Sequence, residues 1–205
     1  MPAPILIIPA AFSPDLCSAM CRALDEGETR ESGFMWPQED GRIGERIEPR
    51  LKVRTDHYLG EDLAGAASSA IIDRVLPKVR QAFQFDVTRI ERHMVARYAR
   101  GGHFAAHKDD LLPGTRHRKF ALSVILNDAF WGGALEFPEF GPDKVFWEPS
   151  GTAVVFSCSL EHRVTRVEEG ARYAYLTFLY DEAGEALRQQ ELAQLATPCP
   201  ANVTT

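Results

Sequence analysis

From residue 88 to residue 180 the sequence is a succession of short runs with strand character, separated by Gly, Pro and Asn. The predicted strands lie near residues 88–98, 104–108, 119–127, 134–138, 144–148, 152–157, 161–167 and 171–180. Strands that follow one another without alternating helices favour an antiparallel sheet over a doubly wound parallel one. We therefore predict a mainly β fold, closed or nearly closed into a barrel, with flanking helices.

The flanking regions have helical patterns. One helix is predicted to begin after the N-cap Ser13 and to end at Gly27, and a longer amphipathic helix covers residues 61–84 with an interruption at Pro77. A last helix runs from Asp181 to about Leu195. The run RYAYLTFLY before it is apolar on both faces, which predicts a strand covered on both sides.

Length and composition fit one domain, residues 1–205, with 45% hydrophobic residues in 205. We divide it into N-terminal support and lid (1–87), β core (88–180), and C-terminal helix and tail (181–205). The net charge of −6 argues against general binding to nucleic-acid backbones or anionic membranes. Four cysteines without a signal-peptide pattern predict free thiols and a cytoplasmic location.

Two segments before the core have no settled role. Residues 28–48 are polar and without period but contain Phe34, Met35 and Trp36, so we interpret them as a lid. In RLKVRTD, basic residues alternate with apolar ones, which places Arg50, Lys52 and Arg54 on one face of a strand. That face either borders a cleft or is a solvated edge whose charges discourage aggregation.

A group of spaced residues in the core carries the chemistry. Tyr98, Gly101, Phe104, His107 and Asp109 form the pattern YxxGxxFxxHxD. Because side chains two apart on a strand leave the same face, the last two can meet one metal. Together with a second imidazole, these two residues would form the ligand set of non-haem Fe(II) oxygenases, which is two imidazoles and one carboxylate on one face of an octahedron.

The surrounding motifs strengthen this interpretation. A strand from Lys119 to Asn127 follows the pattern, then the pair Gly132–Gly133, then Gly-x-Ala-x-x-Phe from Gly151, and then His162. In this order and spacing the chain resembles the Fe(II)/2-oxoglutarate-dependent dioxygenases of the prolyl 4-hydroxylase-like superfamily. The resemblance covers most of the chain, apart from roughly residues 28–58 and the tail, and it implies a double-stranded β-helix, or jelly-roll, fold.

The resemblance also implies roles for single residues. His107, Asp109 and His162 are the expected iron ligands, and Arg172 is expected to bind the distal carboxylate of 2-oxoglutarate. A guanidinium suits that task, since it offers a carboxylate two parallel hydrogen bonds and stays charged. If residues 168–170 form a hairpin loop with Gly170 in the left-handed conformation, Arg172 faces the same side as His162.

One position departs from the animal oxygen-sensing members of the superfamily. Ile125 occupies the place of a tyrosine two residues before Asn127, so the second contact to the distal carboxylate must come from elsewhere. Tyr98, which matches a family tyrosine near the co-substrate, and Ser123 are the candidates. The other histidines, His57 among them, are expected to be structural or exposed.

The activity implied by the resemblance is hydroxylation of an unactivated C–H bond on a protein or peptide, of the prolyl type, or on an amino acid. Fe(II), O2 and 2-oxoglutarate are the expected cofactors, ascorbate is an optional reductant, and 2-oxoglutarate is converted to succinate and CO2. Asp109 favours hydroxylation, because halogenating relatives lack this carboxylate.

Two alternatives stay open. One is a non-catalytic iron or 2-oxoglutarate sensor, or an interaction module, that keeps the fold. The minor one is a nucleic-acid demethylase, which the acidic balance and the lack of a second arginine later on the same strand as Arg172 disfavour. The substrate is a protein, a peptide or a small molecule, no nucleic-acid or membrane partner is expected, and the oligomeric state is left open.

Overall fold

Two antiparallel sheets face one another in the computed structural model, which describes residues 4–37, 43–141 and 145–196. In that part of the chain, strands β1 to β17 are, in order, Ile5–Ile8, Arg30–Glu31, Phe34–Pro37, Ile43–Arg46, Lys52–Val53, Thr55–Tyr58, Arg89–Ile90, Met94–Tyr98, His103–His107, Phe120–Ile125, Phe130–Gly132, Leu135–Glu136, Val145–Phe146, Ala153–Ser157, His162–Val164, Val167–Gly170 and Arg172–Tyr180. Helices α1 to α4 are Pro14–Glu26, Glu61–Ala70, Leu76–Phe83 and Glu182–Ala196.

The larger sheet has the order β1-β14-β10-β17-β8-β6-β2, with β7 paired to β17 as well. The smaller sheet has the order β13-β12-β15-β9-β5. Strands β11 and β16 form one separate pair, and β3 and β4 form another. The mainly β class with flanking helices is therefore confirmed. The expected closure into a barrel is wrong for the described residues, because no strand pairing joins the two sheets.

The larger sheet buries both of its faces. Its outer face packs on α1, α2 and α3 through a core that includes Met20, Ile71 and Val79. Its inner face meets the smaller sheet through a second core that includes Phe137 and Phe156. Strand β17 lies in the middle of this sheet and is covered on both sides, as its apolar residues on both faces predicted.

The N-terminal helices follow the sequence closely. Ser13 caps α1 by accepting a hydrogen bond from the backbone N–H of Leu16, and Gly27 ends the helix. Helices α2 and α3 are joined by a π-helical stretch, Ile71–Val75, so the chain remains helical through the predicted interruption. A wider π turn ahead of Pro77 accommodates the missing N–H of that residue without a break.

Three sequence-based expectations need correction. Residues 167–170 are not a hairpin loop: they form β16, which pairs with β11, and the chain passes from the smaller sheet (β15) to the larger one (β17). Segment 28–48, for which no strand was predicted, contains β2, β3 and β4, while residues 38–42 lie outside the described part. The short strand β11 was not predicted at all.

The cysteines agree with the prediction of free thiols, whereas the domain division and the location remain predictions. Cys17, Cys21 and Cys158 are free thiols, and Cys199 lies outside the described residues. Among the helices of the described part, none combines the length and hydropathy needed to cross a membrane. The division at residues 87 and 180 and the cytoplasmic location stay predictions.

A buried charged network supports the inner face of the larger sheet. Glu91, between β7 and β8, accepts two hydrogen bonds from the Arg118 guanidinium, at 2.7 and 2.9 Å. His117 Nε2 lies 3.2 Å from the same carboxylate. Burial of Glu91 opposes its ionisation, but the hydrogen bonds from His117 and Arg118 outweigh it and lower the pKa of Glu91 from 4.5 to about 2. His117 is thus structural, as expected.

Gly170 lies where the chain passes from the smaller sheet to the larger one, and its substitution tests how much this backbone geometry contributes to stability. Its φ is +71°, and a Cβ placed there would lie 2.3 Å from the carbonyl oxygen of Ala129. We expect Gly170→Ala to lower the free energy of unfolding by about 3 kcal/mol, because it adds left-handed strain to a backbone clash. Gly65→Ala is the control: Gly65 lies within α2 with open space around it, and the change should raise stability by about 1 kcal/mol. Chemical denaturation measures both, and equal effects would contradict the assignment of strain.

The Glu91 network predicts a pH dependence. A carboxylate whose pKa is lowered by folding stabilises the protein above its unfolded pKa, and this stabilisation is lost as the pH falls through the folded value. Between pH 5.5 and pH 2 the metal-free wild type should therefore lose about 3 kcal/mol more than Glu91→Gln. The exposed Glu168→Gln control should follow the wild type. Parallel curves for wild type and Glu91→Gln would show that the ionised carboxylate contributes nothing.

Candidate metal centre

The two predicted histidine ligands face one another across a strand pair. His162 of β15 is the direct partner of His107 of β9, and their ring centroids lie 4.2 Å apart. Asp109 follows β9, and its backbone N–H donates a hydrogen bond to the carbonyl of Cys158, which holds it beside the pair. The strand register therefore brings together residues that are more than fifty positions apart in sequence.

The donor atoms converge as a metal site requires. His107 Nε2 lies 3.5 Å from Asp109 Oδ1, and His162 Nε2 lies 3.4 Å from Asp109 Oδ2. Adjacent ligands of an octahedral metal are about 3 Å apart when the bonds are near 2.1 Å. Of the described residues, these three are the His, Cys, Asp or Glu side chains that come close enough together to share an ion.

Backbone carbonyls orient both imidazoles. Nδ1 of His107 lies 2.8 Å from the carbonyl oxygen of Ala105, and Nδ1 of His162 lies 3.0 Å from that of Leu160. Each Nδ1–H donates to its carbonyl, so the lone pair of each ring is on Nε2 and points to the site. A metal-binding histidine needs this arrangement, and the residues present fit a ferrous ion.

The charge states also suit a cation. Burial lowers the pKa of His162 to about 4, against the attraction of Asp109, so the ring is neutral at pH 7. Burial opposes the charge of Asp109, but His162 and His107 outweigh it and hold the pKa of this carboxyl well below its usual range. The neutral ring of His162 and the ionised carboxylate of Asp109 therefore offer a metal ion a lone pair and a negative charge.

Aromatic rings exclude water from one side of this centre. Phe104 stacks on His107 with 3.6 Å between ring centroids, and Phe156 meets His162 edge to face at 4.6 Å. Both rings line a cavity of about 200 Å³ between the two sheets, into which the three predicted metal ligands also face.

Arg172 lies in the wall of the same cavity. It is the strand partner of Tyr98, and its guanidinium carbon lies 5.2 Å from the centre of that ring. Only 2% of Arg172 is exposed, and its buried Nη1 has no hydrogen-bond partner among the described residues. Gly133, with φ +66°, leaves the space: a Cβ there would lie 3.0 Å from Cδ of Arg172. Within residues 4–37, 43–141 and 145–196, no carboxylate pairs with this buried cation.

The remaining predicted residues lie nearby. Tyr98 is buried and its hydroxyl accepts a hydrogen bond from Arg54 at 3.1 Å, which leaves its own O–H to donate. Ser123 lines the cavity from β10. Ile125, also in β10, does not line it. All six predicted site residues are therefore in or beside one cavity, although His162 and Arg172 belong to different sheets.

The cavity wall includes further residues beyond the six predicted site residues. Arg54 forms an ion pair with Asp56 at 2.8 Å and donates to Ser32, so a buried polar cluster braces Tyr98. Of the basic stripe, Lys52 and Arg54 line the cavity and Arg50 does not, which confirms the cleft interpretation for two of its members. Arg118 donates to the carbonyl of Asp109 at 3.3 Å, and no local sequence signal marks it.

Comparison with known proteins agrees with this geometry. Residues 93–180 match the family model of the 2OG-Fe(II) oxygenase superfamily. A PKHD-type hydroxylase of Synechococcus elongatus is 26% identical over 115 residues, which are 53% of this chain and 52% of that protein. Prolyl 4-hydroxylase subunit alpha-1 of Gallus gallus is 26% identical over 164 residues, 70% of this chain and 31% of that protein. The chain thus spans about half the length of the PKHD-type relative.

Solved structures share the fold at low identity. A Trichoplax adhaerens prolyl hydroxylase, in complex with a hypoxia inducible factor peptide fragment, has a TM-score of 0.67 and 19% identity over 89% of this chain and 86% of its own. A Pseudomonas putida prolyl-4-hydroxylase has a TM-score of 0.64 and 16% identity over 88% and 94%. The double-stranded β-helix prediction is thereby confirmed. The matched region contains the His107–Asp109–His162 cluster and Arg172, so the part of the chain that is similar to the 2OG-Fe(II) oxygenase superfamily includes the candidate metal centre.

Proposed function

We propose that this protein is a hydroxylase that uses Fe(II), O2 and 2-oxoglutarate to oxidise an unactivated C–H bond of a peptide, of the prolyl type, or of an amino acid. The observation that carries the proposal is the His107–Asp109–His162 cluster, which opens into a cavity that also contains an unpaired buried arginine. The prolyl hydroxylases and PKHD-type hydroxylases among its relatives support the choice of reaction.

In this proposal the cluster holds the metal through Nε2 of His107, Nε2 of His162 and the Asp109 carboxylate. Arg172 pairs with the distal carboxylate of 2-oxoglutarate, and the free O–H of Tyr98 or of Ser123 donates the second hydrogen bond. When bound, Fe(II) with 2-oxoglutarate and O2 supplies the oxidising chemistry that yields succinate, CO2 and an alcohol.

The chain itself contributes position and a dry environment. The carbonyls of Ala105 and Leu160 keep both imidazoles in the metal-binding tautomer. Arg54 holds Tyr98 in place from the side of the cavity wall. Phe104 and Phe156 keep water away from the reacting groups, which strengthens the charge interactions inside the site.

The ligand assignment predicts the behaviour of single variants. We expect Asp109→Ala and His107→Ala to lose Fe(II) binding and the formation of succinate from 2-oxoglutarate, since each removes one of three ligands. His57→Ala is the matched control, because His57 binds the carbonyl of Glu28 at 2.8 Å and lies outside the cavity wall. Metal titration and succinate assay check both readouts. Metal binding without succinate in the wild type would instead identify a sensor.

Arg172 has a separate test. In Arg172→Met the Kd for 2-oxoglutarate, measured on the Mn(II)-loaded protein, should rise about a hundredfold while Mn(II) binding is kept, because a charge-assisted pair is lost. The control is Arg100→Met, since Arg100 is exposed on the loop between β8 and β9. An unchanged Kd in Arg172→Met would remove this residue from co-substrate binding.

We also propose that segment 28–48 acts as a lid. Ser32, Gly33, Phe34 and Glu45 of this segment line the cavity, and residues 38–42 lie outside the described part. We expect Mn(II) and 2-oxoglutarate together to slow amide hydrogen exchange in residues 30–36 and 44–46, because a filled cavity gives the segment more to pack against. Equal exchange with and without them would leave this segment an ordinary pair of strands.

A further inference from the structure

The cavity wall is much more basic than the chain as a whole. The chain has a net charge of −6, yet seven of the described side chains that line the cavity are Lys or Arg and three are Asp or Glu. One of the three, Asp109, belongs to the proposed metal centre. The cavity therefore holds more positive charge than its own carboxylates neutralise.

Most of the basic residues have carboxylate partners. Ion pairs join Arg54 to Asp56, Arg118 and Arg92 to Glu91, Lys108 to Glu139, and Arg30 to Glu45. Among the described residues, Lys52 and Arg172 are the two basic members of the wall without an ion pair. Arg172 has a proposed anion, the distal carboxylate of 2-oxoglutarate. Lys52 has none.

Lys52 is placed beside the metal centre. It belongs to β5, which pairs with β9, and it is the strand partner of Phe104. Its Nζ lies 4.7 Å from the centre of the Phe104 ring, and that ring stacks on His107. One aromatic ring thus connects the ammonium group to a proposed metal ligand, within reach of a molecule bound next to the metal.

The ammonium group is only partly satisfied. Lys52 is 8% exposed and donates one hydrogen bond, to the carbonyl oxygen of Gly33 at 2.8 Å. Burial, followed by repulsion from Arg54, lowers its pKa to about 7. An ammonium has three donors, so two remain for a ligand. With a pKa of about 7, Lys52 is charged in only part of the molecules at pH 7, and an anion that reaches it favours the charged form.

We propose that Lys52 binds a carboxylate of the primary substrate and that this protein therefore selects substrates with an acidic group close to the reacting carbon. The inference rests on the proposed function and deepens it. The co-substrate does not need Lys52, because its distal carboxylate is assigned to Arg172 and its other end to the metal. The carboxylate comes either from an Asp or Glu side chain in a peptide or from the α-carboxylate of a free amino acid.

The test compares acids with matched amides on protein loaded with Mn(II) and 2-oxoglutarate, which cannot turn over without iron. One arm uses N-acetylated, C-amidated hexapeptides randomised around one proline, with Glu and Asp in one pool and Gln and Asn in the other. The second arm uses the free amino acids and their amides. Retained molecules are identified by mass spectrometry, and the two arms separate the two sources of the carboxylate.

In one of the two arms we expect acids to be retained about thirtyfold better than amides by the wild type. Lys52→Gln, which keeps a donor for Gly33 but has no charge, should reduce that ratio to about one, and Lys52→Arg should keep part of it. Arg50→Met is the control, because Arg50 is exposed on the same segment and outside the cavity wall. Circular dichroism verifies that each variant is folded.

Each other outcome overturns the inference. Equal retention of acids and amides by the wild type, including no retention of either, would exclude a carboxylate site. An acid preference that survives in Lys52→Gln would assign it to another residue. A rise in the Kd for 2-oxoglutarate in Lys52→Gln as large as in Arg172→Met would assign Lys52 to the co-substrate. Failure of the proposed function is distinct, since it shows as absent succinate formation by the iron-loaded wild type.

Discussion

The pairing of β9 with β15 is the contact on which the site depends, because it sets His107 directly opposite His162. Directly opposed residues on antiparallel strands have Cβ atoms about 5 Å apart, which is the reach that two imidazoles need to meet one ion. A shift of one residue would turn one ring to the other face of the sheet. The hydrogen bonds of both Nδ1 atoms to carbonyls two residues earlier belong to the same local geometry.

The second constraint is the burial of positive charge between two apolar sheets. A guanidinium or ammonium removed from water is costly unless an anion or several acceptors meet it. The structure supplies Asp56 to Arg54 and Glu91 to Arg118, and these pairs are fixed parts of the wall. In the part of the chain that the structure describes, Arg172 and Lys52 lack such partners, and we therefore propose that ligands supply their anions. Basic residues that are paired within the protein thus stabilise the fold, and those that are not paired there are the proposed ligand contacts.

The two sheets contribute different residues to the site, because successive side chains of a strand point to opposite faces of its sheet. In β10, Val124 packs in the helix-covered core, while Ala121 and Ser123 line the cavity. The helix-covered face makes the larger sheet a rigid support for Tyr98 and Arg172. The smaller sheet contributes the histidines and Lys52. The cavity wall is therefore formed by both sheets, and neither sheet alone forms the site.

Much of the site was visible in the sequence because its signals are local. The two-residue step from His107 to Asp109, the glycine in the left-handed conformation at 170, and the basic stripe with Lys52 and Arg54 depend only on near neighbours. The order of motifs then added His162 and Arg172 through the family resemblance. Arg118 and its partner Glu91 were not visible, since nothing near either residue marks their contact across 27 positions.

The sequence by itself determined the strand-rich class, the ends of α1, and the identity of the residues that converge on the proposed metal centre. Only the tertiary structure decided how the described residues are arranged: their two sheets stay separate, β15 and β17 belong to different sheets, and Lys52 and Arg172 have no carboxylate partner while Arg54 has one. The physical reason is distance along the chain. Alternation and capping act between neighbours, whereas strand register and the pairing of buried charges depend on which distant segments meet.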